Sequence, residues 1–491
     1  MIFIGIDLGT SSVKTIALNQ EGQVIGEVSK DYPVHYYNEN WAEQNPEDWW
    51  QETLAALKEL IQISEFDPNE IRSIGFSGQM HGLVALDQNG DILIPSILWC
   101  DQRTEVECDE ITTYFGEKRL ASLVGNKALT GFTAPKILWM KKHQPDLFGQ
   151  VAKILLPKDY VRYRLTGEFA TDYSDASGML LLDVENKCWS KEMLDYIGIR
   201  ESQLPALHES YQVTGTLSEA LKNELDIQSD VLVVGGAGDQ AAGAIGTGTV
   251  SDGIISVTLG TSGVVFAAHD SYFVDPACRL HAFCHANGKY HSMGVMLSAA
   301  SCLQWWVDQV HPEVGFDQLL KEAEAEDSNL IFLPYLIGER TPYADPHARG
   351  GFIGLNMNSN RGQMTRAILE GVSFGLKDSL DILEDMGVSI KEIRVTGGGS
   401  RSPLWKQIIA DIFNMPVSEI NTHQGGALGA AILAGVGAGH YGSIEEATGQ
   451  IIQLTATTQP NRERVVDYRH KHQLYQRLYQ DLKDYYQVAA K

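Results

Sequence analysis

Basic residues are the shortage in this sequence: 38 Lys and Arg stand against 63 Asp and Glu over 491 residues, a net charge of −25. A surface of that sign repels phosphate backbones and anionic headgroups, which excludes nucleic acid and membrane surfaces as expected partners. Cysteine is scarce too, six in all, which is too few for a disulfide scaffold. No apolar run approaches the roughly 20 residues of a membrane span. The opening Met1-Ile-Phe-Ile-Gly-Ile-Asp7 lacks the basic leader of a secretory signal and reads as a first strand, so the cytoplasm is the expected location. Two nucleotide motifs are also missing. There is no G-x-x-x-x-G-K-S/T, and no G-x-G-x-x-G between a strand and a helix, which removes P-loop and Rossmann sites from consideration.

What is there is an ordinary globular composition, 44% hydrophobic and 21% charged, in a chain too long for one core. Short β-rich runs alternate with helical patterns, which predicts α/β domains. Ile2–Asp7 is the first strand, and Lys14–Leu18 and Val24–Val28 read as hairpin partners. Trp49–Ile63 has helical spacing, as does the polar tail Tyr468–Val488. A Gly/Thr/Ser/Asp-rich stretch around 246–253 marks a boundary between domains 1–246 and 247–491.

An internal repeat supports two related halves. Gly5-Ile-Asp-Leu-Gly-Thr-Ser-Ser-Val13 aligns with Ser256-Val-Thr-Leu-Gly-Thr-Ser-Gly-Val264, and each copy follows a strand near the start of its half. Such a turn aims backbone N–H groups and two hydroxyls at one anion, which makes Thr10, Ser11, Gly260 and Thr261 candidate phosphate-binding residues. Lys14, on the strand after the first turn, is counted with them. A carboxylate beside phosphates needs a cation between, so Asp7 is read as facing Mg²⁺, directly or through water. Asp239 follows Gly235-Gly-Ala-Gly238 at a strand-to-helix junction, where it either caps the helix or serves as the base for a reacting hydroxyl; Gln240 stands beside it. Two runs of very small residues, Ala241–Gly246 and Gly426–Ala431, suit a close helix crossing at a hinge. Thr396-Gly-Gly-Gly-Ser-Arg401 suits a flat ring lying on backbone.

One cluster points elsewhere. Cys278, His281, Cys284 and His285 fall within eight residues, but their spacing matches no standard zinc motif and no second pair follows. Buried thiols and hydrogen-bonded histidines are the expected reading.

Taken in order, two phosphate turns, two small-residue helices and a glycine-rich turn resemble the actin/Hsp70/hexokinase ATPase superfamily. Within it the chain resembles the FGGY carbohydrate kinases: Gly131-Phe-Thr-Ala-Pro-Lys-Ile-Leu-Trp-Met-Lys-Lys-His143 matches one family signature. Gly350-Gly-Phe-Ile-Gly-Leu355 through Gln363–Glu370 matches the other. Ser77-Gly-Gln-Met-His-Gly82, Pro157-Lys-Asp-Tyr160, Phe283-Cys-His285 and Phe332–Pro342 are similar to the branch acting on xylulose.

The resemblance implies two actin-like (ribonuclease H-like) domains with a catalytic cleft between them. It implies transfer of a phosphoryl group from MgATP to D-xylulose, with L-ribulose, gluconate or glycerol as alternative acceptors and an ATP-switched binding protein as the alternative of a different class. Met80, His81, Asp239 and Gln240 would then bind the sugar, with Asp239 as base. Asp7 would support metal and phosphate, Thr261 would touch the γ-phosphate, and Gln304, Gly398 and Gly399 would line the nucleotide. The same resemblance moves the Cys278–His285 cluster further from zinc. A homodimer is compatible with the sequence, which does not specify an oligomeric state.

Overall fold

The computed structural model describes residues 1–38 and 40–489. Its N-terminal half is organised on a seven-stranded sheet. The strands are β1 (Ile2–Leu8), β2 (Ser12–Asn19), β3 (Val24–Asp31), β4 (Ile71–Gly78), β5 (Val213–Thr216), β6 (Leu232–Val234) and the short β7 (Ala237–Gly238). They lie in the order β5-β6-β4-β1-β2-β3, with β7 on the end of β4. The C-terminal half repeats this. Strands β8 (Ile254–Leu259), β9 (Gly263–His269), β10 (His281–Cys284), β11 (Tyr290–Met296), β12 (Glu392–Thr396), β13 (Val417–Ile420) and β14 (Leu454–Thr458) run in the order β10-β11-β9-β8-β12-β13-β14.

Superposed by pairing sense, β1, β2, β4 and β6 correspond to β8, β9, β12 and β13. In each half an antiparallel hairpin flanks a parallel pair. The four-residue sequence repeat is thus the visible remnant of a duplicated sheet. Central strands buried on both faces carry near-continuous apolar runs, as Ile2-Phe-Ile-Gly-Ile6 does.

Six helices matter here: α1 (Pro46–Ile63), α2 (Pro157–Thr166), α3 (Asp239–Gly246), α4 (Arg361–Asp385), α5 (Gly425–Gly437) and α6 (Arg462–Ala489). The Asn45 side chain accepts from the Glu47 N–H at 3.2 Å and Pro46 opens α1, the capping chemistry that starts a helix one turn before the apolar periodicity shows it. Helix α6 buries Tyr468, Tyr475 and Tyr479 from an otherwise polar sequence. Among the described residues no helix is long and apolar enough to cross a membrane.

The small-residue runs become the junction between halves. A methyl group added at Gly429 of α5 would overlap the carbonyl oxygen of Ala242 in α3, and one at Gly246 would overlap that of Gly425. Helix α5, from the C-terminal half, also lies across the N-terminal sheet, where Gly5 and Gly75 face the carbonyls of Ala427 and Ala430 with no room for a Cβ. Glycine and alanine here set the distance of approach, and with it how the two sheets face one cleft.

Candidate active site

Parallel register places Asp7 of β1 beside Ser77 of β4, and the Ser77 hydroxyl donates to Asp7 Oδ1 at 2.6 Å. Gly426 at the start of α5 backs the same carboxylate, where a Cβ would meet Ser77 Oγ and Asp7 Oδ1. Burial raises the Asp7 pKa, against the Ser77 bond and the Lys14 charge, which lower it. Its other oxygen has no hydrogen-bond donor among the described residues. A desolvated carboxylate with one free oxygen fits an oxygen-preferring cation such as Mg²⁺.

Strand β7 and helix α3 deliver Asp239. The N-cap of α3 is Gly238, which makes Asp239 its first helical residue and leaves the carboxylate facing the cleft. Burial, and then the charge of Asp7, raise its pKa to about 7. A carboxylate poised near neutrality is suited to accept a proton and release it again.

His81 has φ +70°, a left-handed conformation that costs a non-glycine residue about 1–3 kcal/mol. Three contacts hold it there. Its carbonyl accepts from Lys136 Nζ at 2.9 Å and Thr133 Oγ1 at 3.0 Å, and its Nδ1 lies 2.6 Å from the Gly178 carbonyl. A carbonyl only accepts, so Nδ1 carries the proton and Nε2 is left as an acceptor. Burial, helped by the charges of Lys136 and Arg340, lowers the His81 pKa to about 3, and the ring stays neutral. Phe132 packs edge-on at 4.8 Å. Lys136 and Thr133 belong to the 131–143 signature, which therefore works by holding the loop that carries His81.

Two cavities meet at Asp239 and Gln240. One, of about 240 Å³, is lined by Met80, His81, Trp99, Phe132, His281 and Arg340 among others. The other, of about 420 Å³, is lined by Thr258, Thr396, Gly397, Gly398, Arg401, Thr422 and Gly426 among others. Of the residues singled out in the sequence, Met80, His81, Asp239, Gln240 and Gly398 line these cavities. Gly399 instead packs on Leu259 and Trp405, where only a glycine fits. Thr261 is exposed and lines neither cavity, its carbonyl accepting from the N–H groups of Ala299 and Ser301, and its neighbour Ser262 is the one that lines the smaller cavity. Thr10 receives the indole N–H of Trp99 at 3.0 Å, and Lys14 pairs with Glu27 at 3.0 Å. Gln304 is exposed, bonds to Asp308 at 2.7 Å and lines neither cavity.

The sequence reading missed Trp99, Phe132, Ser262, His281 and Arg340. All but Trp99 lie in segments it had singled out, but nothing in those segments says which side chains turn inward.

Beneath Asp239 is a buried cluster of charge. Lys158 of α2 lies 2.7, 2.9 and 3.2 Å from carboxylate oxygens of Asp159, Asp172 and Asp175, all fully buried. Burial opposes the Lys158 charge, but the three carboxylates outweigh it and hold its pKa above the ordinary value. Burial pushes the Asp175 pKa well up, against the Lys158 charge, which lowers it. Asp172 Oδ2 accepts from the N–H of Ser174 at 2.8 Å, and Ser174 Oγ accepts from the Gly238 N–H at 3.2 Å, one residue before Asp239. The segment Pro157-Lys-Asp-Tyr160 thereby fixes the strand end that presents the carboxylate.

The cysteine–histidine cluster disperses. His281 Nδ1 lies 2.9 Å from Asn126 Oδ1 and the ring faces the smaller cavity, His285 Nε2 donates to the Thr249 carbonyl at 2.9 Å, and Cys284 is buried against Val184.

Comparison with known proteins gives one family over both halves. Residues 2–246 match the N-terminal domain, and 255–438 the C-terminal domain, of the FGGY family of carbohydrate kinases. The chain is 42% identical over 485 residues to the xylulose kinase of Bacillus subtilis (strain 168), covering 98% of this chain and 97% of the relative. A crystal structure of a xylulose kinase from Brucella ovis superposes with a TM-score of 0.94 at 38% identity, covering 99% of this chain and all of that one. A gluconate kinase from Lactobacillus acidophilus superposes at 0.93 with 28% identity, covering 98% of each.

Proposed function

Because this chain belongs to the FGGY family of carbohydrate kinases, we propose that it transfers the γ-phosphoryl group of ATP to the 5-hydroxyl of D-xylulose. Full-length identity near 40% to xylulose kinases supports the acceptor. The observation that carries the chemistry is that the smaller, aromatic-lined cavity and the larger, glycine-lined one meet at Asp239.

In this reading the sugar occupies the smaller cavity and ATP the larger. Asp239 accepts the proton of the 5-hydroxyl as the sugar oxygen bonds to the γ-phosphorus and the bond to the β-phosphate oxygen breaks. The backbone N–H groups of the two turns hold the phosphates in line, with Asp7 beside them. Mg²⁺, when bound near Asp7, would supply the positive charge that lets a carboxylate sit beside phosphates. Neutral His81 accepts from a sugar hydroxyl through Nε2, and Met80, packed against Gly238, forms the floor under Asp239. Closure of the cleft on the α3–α5 crossing would exclude water as the competing acceptor.

The test is ADP release measured on D-xylulose, L-ribulose, D-gluconate and glycerol with and without Mg²⁺. D-Xylulose should give the highest kcat/KM, and only with the metal. Faster turnover on any of the others would overturn the assignment.

A further inference from the structure

The smaller cavity holds a cation whose side chain has no hydrogen-bond or salt-bridge partner among the described residues. Arg340 lines it from a loop of the C-terminal half. Glu339, the neighbouring acid, is turned to the backbone: its Oε1 accepts from the N–H groups of Leu297 at 3.0 Å and Arg340 at 2.7 Å. Burial raises that carboxyl to about 8 against those two bonds, so near neutrality it offsets little of the guanidinium charge. Burial works against the Arg340 charge, Glu339 acts in its favour, and its guanidinium makes no hydrogen bond or salt bridge among the described residues. Five donors that face a cavity without a protein acceptor make a site for a ligand that supplies the acceptors.

The position within the cavity narrows what that ligand offers. Arg340 enters it on the loop whose Thr341 N–H donates to the carbonyl of Val295, another lining residue, at 3.0 Å, whereas Asp239 and His81 enter from the N-terminal half. It shares the cavity with a neutral His81 whose free nitrogen only accepts. A pentulose that presents its 5-hydroxyl to Asp239 leaves C1 and C2 for the rest of this lining, where Arg340 is the group that only donates. A ketone oxygen only accepts and so complements a group that only donates. A hydroxyl at C2 would leave its own proton unmatched beside the guanidinium.

We propose that Arg340 is a specificity-determining residue that donates to the C2 carbonyl oxygen of the ketose, with His81 Nε2 accepting from an adjacent hydroxyl. This deepens the functional reading above and rests on it.

The test compares D-xylulose with xylitol and D-arabitol, which differ from it only at C2, in the wild type and in Arg340→Met and Arg340→Lys. Wild type should favour the ketose. Arg340→Met should raise KM for D-xylulose about tenfold to a hundredfold, the range set by a hydrogen bond to a charged group. It should change kcat less, leave KM for ATP unchanged, and reduce the preference over both polyols. Arg340→Lys should fall between, and it keeps the test readable if the Met variant folds poorly. Equal losses on ketose and polyols, no loss, or a fall in kcat at constant KM would each overturn the proposal, the last by putting Arg340 on the transferring phosphoryl group. Loss of D-gluconate turnover with D-xylulose unaffected would overturn it by assigning the guanidinium to a carboxylate. A wild type that ignores D-xylulose would sink the functional reading itself, a failure visible before any variant is made.

Discussion

Ser77 donates to Asp7 across parallel strands at 2.6 Å, and at the equivalent register of the other half Thr396 lies against Thr258 with their hydroxyls 3.1 Å apart. The duplicated scaffold thus presents one acidic position and one neutral one to the same cleft. The turns differ as well. Leu8 pairs with Val13 around residues 9–12, while Leu259 pairs with Gly263 around residues 260–262, a turn one residue shorter. That shorter turn brings Ser262 to the smaller cavity. The asymmetry puts a carboxylate at one of the two equivalent positions and a pair of hydroxyls at the other.

Asp239 near pH 7 implies an acid limb in the rate profile. Below that value the carboxyl is protonated and cannot accept a proton, so kcat/KM for D-xylulose should rise with pH through about 7. Asp239→Asn should lower kcat by several orders of magnitude with ATP binding retained. A flat profile between pH 5.5 and 8, or near-normal turnover of the variant, would remove Asp239 as the base.

Buried histidines should make the fold acid-sensitive. His269 and His285 are lowered to about 4 and His291 well below the ordinary value, each chiefly by burial. The unfolded chain takes up protons below about 6.5 that the fold refuses, so stability is full above that pH and is lost as pH falls towards 4. Each group contributes up to about 1.4 kcal/mol per pH unit in that window. His291, buried and stacked on Phe266 at 4.2 Å, is the one to replace. The Tm of His291→Phe should depend less on pH between 6.5 and 4.5; unchanged steepness would show that the titrating groups lie elsewhere.

Lys158→Met should destabilise the fold by about 3–5 kcal/mol, because removing one partner strands buried carboxylates. Urea unfolding followed by tryptophan fluorescence measures it. A loss under 1 kcal/mol would mean that the aspartates simply protonate and that the lysine does not organise the segment under Asp239.

At the helix crossing, Gly429→Ala pits two effects against each other. Alanine favours a helix interior by about 1 kcal/mol over glycine, but here its methyl would overlap the Ala242 carbonyl, and overpacking costs about 1–3 kcal/mol. We expect a net loss of stability together with a higher KM for ATP as α5 moves from the cleft. A variant as stable and active as wild type would show that the crossing tolerates a wider spacing.

Much of this was written in the sequence because it is local. Strand and helix patterns, the Leu-Gly-Thr-Ser turns, the position of Asp7 at a strand end and the small-residue runs depend on neighbours in the chain. Met80, His81 and Asp239 were legible through motif resemblance, and in the structure they converge. What the sequence could not decide is which distant side chains share a cavity. His281 lay in a run weighed first as a metal cluster, and Arg340 in a motif with no role attached; both became cavity residues only when the second sheet folded against the first. The unequal turns and the unpaired guanidinium have the same origin. Register and burial are set by contacts between residues hundreds of positions apart, and those contacts decide which polar groups are satisfied by the protein and which are left for a ligand.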